Sequence, residues 1–360
     1  MQAMRIHRIQ EVDGDNPALS LEEIPVPRPG ERELLIKVAA CGVCRTELDE
    51  IEGRTSPSRF PMTPGHQVVG EVIAEGPNCK RQLLGRRVGA AWIHSACGHC
   101  PECLRGEENL CPAFRACGRD AHGGYAQFMT IPEPFAAVIP EILDTEITAP
   151  LLCAGAVGWR ALRHCQLRNG QALGLTGFGA SAHIILQMAE KLYPDSPVYV
   201  FARSPREQAF AVTLGAAWAG DTADSPPTAP IAIIDTTPAW KPVVCALDQL
   251  AAGGRLVINA IRKESGDNQH LLALDYARHL WREKHIMSVA NVTRADVIEC
   301  LEIAASTGVR PHVSTYALTE ANEALLQLKR GQIRGAKVLR ITPDDDAGAD
   351  ANSSPSRPGR

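Results

Sequence analysis

Four cysteines crowded into one short loop constrain this chain more than any other feature. They stand at Cys97, Cys100, Cys103 and Cys111, with two residues between each of the first three and seven before the last. Thiolates spaced this closely can fill a tetrahedral shell around a zinc ion and leave no position open, which makes a structural site. The gaps hold glycine, proline and charged residues such as Gly98, Pro101, Glu102 and Gly106, suited to a loop held by metal. Disulfide pairing is the competing use of such thiols. It requires an oxidising compartment, and the opening Met1, Gln2, Ala3, Met4, Arg5 lacks the long apolar run of a secretory signal. A closed zinc loop performs no chemistry, so reactive residues are expected elsewhere.

The chain has 360 residues, more than one hydrophobic core usually organises, so two domains are expected. A hydrophobic content of 45 % is enough to fill both. The formal net charge of −4 argues against a nucleic-acid partner, and no stretch approaches the apolar length that crosses a membrane. A reducing, cytoplasmic location is the consistent expectation. Up to about Ala149 the chain is rich in short β-like runs punctuated by proline and glycine, the pattern of a small irregular barrel or sandwich. From about Gly155 apolar runs at 172–175, 198–201, 231–234 and 255–258 alternate with helical stretches at 182–191, 205–214 and 241–250. Buried strands alternating with helices predict parallel βαβ units in a doubly wound sheet. A further helix is expected at 294–306, and the Asp-, Ala-, Ser- and Pro-rich stretch 343–360 reads as a disordered tail.

Three separated segments each offer a soft ligand beside glycine or proline: Cys41 to Thr46, Thr63 to Gln67 and Leu151 to Gly155. Three protein ligands and one open position would make a catalytic zinc. Each segment alone is weak evidence, because a lone cysteine is more often a small buried hydrophobe.

Taken together and in this order, the segments resemble the zinc-dependent alcohol dehydrogenases of the medium-chain dehydrogenase/reductase superfamily, over roughly residues 5 to 340. The resemblance implies an α/β chain with a GroES-like, β-rich catalytic domain and a Rossmann domain. The catalytic domain with its structural zinc lobe would span 1–154 and the cofactor domain 155–289, with a return to the catalytic domain at 290–342. It implies two zinc ions per chain. Cys44, His66 and Cys153 match the catalytic ligands, and Cys41 matches a position that is not a ligand. Thr46 matches the hydroxyl that bonds the substrate oxygen and starts a proton relay. Arg45 matches a contact to cofactor phosphate, Glu47 the acid that orients the histidine ligand, and Trp92 an aromatic wall of the substrate pocket.

Two departures stand out. Where many relatives carry histidine, three residues after the threonine, this chain has Asp49. It is expected either to take the relayed proton through water or cofactor ribose, or to be a solvated surface acid. Where the residue after the histidine ligand is usually glutamate, this chain has Gln67. The loss of a negative charge there predicts a more electrophilic zinc.

The second domain opens on Gly174, Leu175, Thr176, Gly177, Phe178 and Gly179, a glycine turn between a strand and a helix that would present backbone N–H groups to a pyrophosphate. Thr176 stands where the family fingerprint has its middle glycine. NAD-binding domains place a carboxylate at the end of the next strand. Here Ala202 occupies that place, followed by Arg203, Ser204 and Arg206. Guanidinium groups bind phosphate where an acid would repel it, so NADP(H) is the expected cofactor, held by Arg203 and Ser204, with NAD(H) the alternative. The implied activity is reversible interconversion of small alcohols with aldehydes or ketones, by a homodimer or homotetramer. Two rivals remain at this point: a related activity on polyols, cinnamyl-type alcohols or formaldehyde adducts, and a nucleotide-binding redox sensor without turnover.

Overall fold

The computed structural model describes residues 1–341, so the tail set apart at 343–360 lies outside the described residues. A hairpin of β1 (Gln2–Arg5) and β2 (Ser20–Glu23) opens the chain. β3 (Glu33–Val43) follows, with Leu34, Ile36 and Val38 buried and Lys37 exposed. It leads directly into α1 (Arg45–Ile51). Next come β4 (Val68–Glu75), β5 (Arg87–Ala90), β6 (Ile93–Ser95), α2 (Pro101–Leu104), β7 (Arg115–Ala116), β8 (Phe128–Pro132) and β9 (Ala136–Val138). β3 pairs antiparallel with β4 and β8, β4 with β5, and β5 with β9. The four-cysteine loop projects from this body between the paired strands β6 and β7.

α3 (Thr145–Pro150) passes through one π-helical turn, Leu151–Gly155, into α4 (Ala156–Cys165). The strands and helices then alternate: β10 (Leu173–Thr176), α5 (Ala180–Leu192), β11 (Val198–Phe201), α6 (Pro205–Thr213), β12 (Trp218–Gly220), β13 (Ala232–Asp235), α7 (Lys241–Gln249), β14 (Arg255–Ile258) and β15 (His285–Ser288). They form a six-stranded sheet in the order β12-β11-β10-β13-β14-β15, parallel at every pairing. β10, β11 and β13 are buried along their whole length, which is why they read as unbroken apolar runs. No comparable apolar run announces β12 or β15. β12 has three residues, and β15 is an edge strand with His285 and Ile286 exposed. Strand order reverses between β10 and β13, the switch point at whose carboxyl strand ends open parallel sheets form their ligand crevice.

After the helix Arg294–Thr307 the chain leaves this sheet. β16 (Val313–Ala317) runs parallel to β17 (Ala336–Arg340), and β17 pairs antiparallel with β3, setting Val338 opposite Gly42. The GroES-like part is thus built from both ends of the chain around the Rossmann part. One continuous core, from Val69 and Leu152 through α4 to Leu175 and Ile234, crosses between them.

Candidate active site

Cys44 stands between β3 and α1 in extended conformation, where the strand hands over to the helix. Its backbone N–H donates to Glu47 Oε2 at 2.7 Å, which fixes the first turn of α1. The other oxygen, Glu47 Oε1, lies 2.6 Å from His66 Nδ1, a charge contact whose angle falls short of an aligned hydrogen bond. The contact turns the opposite ring nitrogen, Nε2, to within 3.3 Å of Cys153 Sγ. Cys153 comes from the π-helical turn, a local widening of the helix that often marks functional positions. Gly65, at φ +102°, lets the chain reach His66; a Cβ there would meet the Tyr125 ring at 2.4 Å.

The donor atoms of Cys44, His66 and Cys153 all lie within 4.8 Å of one another. Two thiols and one imidazole form a donor set that fits zinc, and three protein ligands leave one position of a tetrahedral shell unassigned. The hydrogen bond from the Cys153 thiol, then the nearby His66, hold the Cys44 pKa well below the usual thiol value. Cys153, the donor in that bond and itself half-buried, is pushed well up. Burial opposes a charge on His66, but Glu47 and Cys44 outweigh it and raise its pKa well above the ordinary imidazole value. Protons shared in this way are what a divalent cation displaces.

Thr46 is buried, and its hydroxyl lies 3.6 Å from Cys44 Sγ. Arg45 is exposed at the first position of α1. Asp49 is not the solvated surface acid weighed from the sequence. It is 2 % exposed, and its Oδ1 accepts from Arg54 Nε at 2.6 Å and Arg262 Nε at 3.0 Å. A long-range ion pair holds it, and any relay would have to use Oδ2. Gln67 is buried with its side chain against Gly42, where a Cβ would meet Gln67 Cδ at 2.7 Å. The Trp92 ring stands edge-on to His66 at 6.5 Å between centroids and 5.4 Å from Phe114, with the Arg119 guanidinium 5.2 Å from its centre.

The second cysteine group also converges. Cys97, Cys100, Cys103 and Cys111 bring their sulfurs within 4.8 Å of one another. Backbone N–H groups point at these sulfurs: Cys100 N to Cys97 Sγ at 3.3 Å, Cys97 N to Cys111 Sγ at 3.4 Å and Ala113 N to Cys111 Sγ at 3.3 Å. Such donors favour thiolate over thiol, and those of His99 and Cys100 draw the Cys97 pKa down to about 6.

At the crevice, Gly177 adopts φ +75° and its N–H donates to Phe201 O at 2.8 Å. A Cβ on Gly177 would meet Thr237 Cγ2 at 2.9 Å, so the turn can pass here only as glycine. Gly179 precedes α5, whose thirteen residues aim an amino-terminal dipole at the crevice. Gly174 lies within β10, where a Cβ would meet Ile233 Cγ1 at 2.9 Å. Phe178 turns inward and packs edge-on to Phe210 at 5.6 Å, so it anchors the turn. The Thr176 hydroxyl donates to Asp235 Oδ1 at 2.5 Å, which gives the residue in the usual glycine place a partner on the neighbouring strand. Past β11, Ala202 is buried, Arg203 is exposed, and Ser204 begins α6 without using its hydroxyl as a cap. Burial raises the pKa of the nearby Glu207 carboxyl, and Arg203 opposes that rise.

The alcohol dehydrogenase GroES-like domain matches residues 30–141. A probable alcohol dehydrogenase, AdhA, of Mycobacterium tuberculosis is 43 % identical over 321 residues, 88 % of this chain and 91 % of that one. The chain belongs to the zinc-dependent alcohol dehydrogenases of the medium-chain dehydrogenase/reductase superfamily. An alcohol dehydrogenase of Geobacillus stearothermophilus is 32 % identical over 336 residues, 91 % of this chain and 97 % of that one. In fold, this dehydrogenase superposes on a cobalt- and zinc-bound thermostable alcohol dehydrogenase from Pyrobaculum aerophilum with a TM-score of 0.83. That alignment is at 22 % identity and covers 95 % and 99 % of the two chains.

Sequence reading missed three side chains of this dehydrogenase that the fold brings to the site. Glu50, one helical turn after Glu47, is fully buried, and neither carboxyl oxygen has an aligned hydrogen bond. Burial, with the charge of Glu47 added, pushes its pKa well above the usual carboxylate range. Its i, i+3 spacing from Glu47 was the available signal. Lys263 closes a network at the crevice floor, contacting Asp235 Oδ2 and donating to Thr237 O at 2.7 Å. Arg262 reaches α1 from a loop 213 residues away, and no local pattern announces that.

Proposed function

We propose that the chain interconverts alcohols with aldehydes or ketones using NADP(H), at a zinc held by Cys44, His66 and Cys153. The convergence of those three donors beside the buried Thr46 hydroxyl carries the reading. Zinc bound there supplies Lewis acidity toward an alcohol or carbonyl oxygen, and the nicotinamide supplies the hydride chemistry. Thr46 holds the substrate hydroxyl and relays its proton: as the Thr46 oxygen takes that proton, its own hydroxyl proton passes to water or the cofactor ribose, and the reverse step returns it. Glu47 keeps the His66 ring turned so that Nε2 faces the metal. Trp92 and Phe114 wall off water and shape the substrate space. A second zinc, held by Cys97, Cys100, Cys103 and Cys111, stabilises the projecting loop.

The cofactor preference rests on the end of β11. No carboxylate stands at 202–206 after the strand, Arg203 is exposed there, and the Ser204 hydroxyl is not engaged in capping. A 2′-phosphate would meet a guanidinium, a hydroxyl and the amino-terminal end of α6. Arg45 adds a cation at the pyrophosphate.

Association as a dimer or tetramer through the cofactor domain is part of the proposal. β15 is an edge of the six-stranded sheet, and Leu272, Tyr276, Trp281 and Ile286 are exposed near it in sequence. Among the described residues no helix is long and apolar enough to cross a membrane. A cytoplasmic site of action fits a chain whose thiols serve as metal ligands. The test is initial-rate oxidation of NADPH and NADH against a panel of aldehydes, with and without a zinc chelator. Chelator-sensitive turnover favouring NADPH is the expected result. Cofactor binding without turnover on any aldehyde or alcohol would favour the redox-sensor alternative.

A further inference from the structure

We propose that the side-chain amide of Asn259 binds the carboxamide of the nicotinamide ring and sets how that ring lies against the metal site. The inference deepens the proposed function and rests on it.

Asn259 is the first residue after β14. Its backbone N–H donates to Asp235 O at 2.8 Å, which pins it to the tip of β13. The residue is only 9 % exposed, yet neither Oδ1 nor Nδ2 has a hydrogen-bond partner in the protein. A buried amide with both functions unused is costly, and folded chains seldom keep one for packing alone. Its surroundings are otherwise well paired: next to it, Asp235 accepts from Thr176 Oγ1 at 2.5 Å and Thr237 Oγ1 at 2.8 Å.

The position in the sheet indicates what the amide meets. A dinucleotide lies across the crevice where strand order reverses, here between β10 and β13. Its pyrophosphate belongs at the glycine turn after β10, and its adenosine end at β11, where the ribose is read. The other end therefore extends over the tips of β13 and β14. That end must also face the metal ligands. Three residues past Asn259, Arg262 Nε meets Asp49 Oδ1 at 3.0 Å, on the same helix that carries Thr46. The tip of β14 is thus tied to the reactive side of the catalytic domain. A nicotinamide carboxamide offers an acceptor oxygen and an NH2 donor group, as Asn259 does, so the two groups can pair through two hydrogen bonds in one plane.

The experiment measures binding, not turnover. Dissociation constants are taken for NADPH and NADH, and for 2′-phospho-ADP-ribose and ADP-ribose, which lack the ring, with the unmodified chain and Asn259→Leu. We expect the variant to lose about tenfold in affinity for the dinucleotide while its affinity for the matching fragment is unchanged. Retained fragment binding also shows that the variant's cofactor domain is folded. A second comparison requires no variant. The 3-acetylpyridine analogue of the dinucleotide, which has a methyl in place of the amide nitrogen, should bind the unmodified chain several-fold more weakly than the natural cofactor. Equal affinity for analogue and natural cofactor would overturn the proposal. So would equal loss of dinucleotide and fragment in Asn259→Leu, or no loss of either. Failure of the unmodified chain to bind any dinucleotide would bring down the proposed function itself, and this inference with it.

Discussion

Arg262 Nε lies 3.0 Å from Asp49 Oδ1, and this contact ties the loop after β14 of the cofactor domain to α1 of the catalytic domain. Asp49 is buried and its same oxygen also accepts from Arg54. Arg262→Ala leaves Asp49 with one guanidinium in place of two. The expected cost is about 1–3 kcal/mol of unfolding free energy, because a charged hydrogen bond to a buried group is removed. A double-mutant cycle with Asp49→Asn, read by urea denaturation, should show coupling between the two positions. Purely additive effects would mean that the contact contributes nothing.

Thr46 is the side chain proposed to meet the substrate oxygen and handle its proton. Thr46→Val should lower kcat for alcohol oxidation by about 10²- to 10⁴-fold, the usual range for a positioned acid–base group. Thr46→Ser should keep most of the activity. Equal rates for Val and Ser variants would remove Thr46 from the reaction.

Arg203 should separate the two nicotinamide cofactors. Arg203→Ala is expected to raise KM for NADPH about tenfold, as loss of a charged phosphate contact predicts, and to leave KM for NADH unchanged. Parallel changes in both constants would place Arg203 outside the 2′-phosphate site.

The two metal sites should respond independently. Cys103→Ser is expected to reduce zinc content from two ions per chain to one, measured by native mass spectrometry. Tm should fall by roughly 1–2 °C for each kcal/mol of lost stabilisation, as the unfolding entropy of a chain this long dictates. Turnover per folded chain should persist at low temperature. Cys153→Ser should do the reverse, abolishing turnover with a smaller change in Tm.

Acid should weaken the phosphate-binding turn through His183. Its Nδ1 is 3.2 Å from Gly179 O, and its Nε2 accepts from His312 N at 3.2 Å, so both nitrogens serve the neutral ring. Burial lowers its pKa from 6.5 to about 4. Between those values the unfolded chain binds the extra proton and the folded chain does not. The stability this group contributes is thus present above pH 6.5 and is lost as pH falls toward about 4. The slope it adds is about 1.4 kcal/mol per pH unit. Urea denaturation between pH 4 and 7 should show a shallower slope for His183→Gln than for the unmodified chain; identical slopes would refute this assignment.

What the sequence made legible depended on how locally each signal is written. The four cysteines of the projecting loop lie close in sequence and need only a turn to converge. The buried strands β10, β11 and β13 are unbroken apolar runs, and the glycine turn after β10 is contiguous. Cys44, His66 and Cys153 are far apart, and the spacing alone left them open; the resemblance joined them. Residues whose meaning lies in a distant partner stayed hidden. Asp49 reads as a surface acid on a polar helix until Arg262 meets it, and Glu50 looks like any helical glutamate until the surrounding loops bury it. Asn259 carries no local pattern, since its significance is the absence of a protein partner at the tip of a parallel strand.

The pairing of β17 with β3 has a consequence for how the molecule is made. Ala40 to Val43, the stretch immediately before Cys44, takes its partner from residues 337–340. A ribosome therefore releases Cys44 early, attached to a strand whose last residues stay open on one flank while the whole cofactor domain emerges. The domain begun first is completed last. Until then the uncovered edge of β3 is a template for mispairing with other nascent chains. The vulnerable interval in this protein's life is its synthesis, and a truncation a few residues short of β17 would prolong that interval indefinitely.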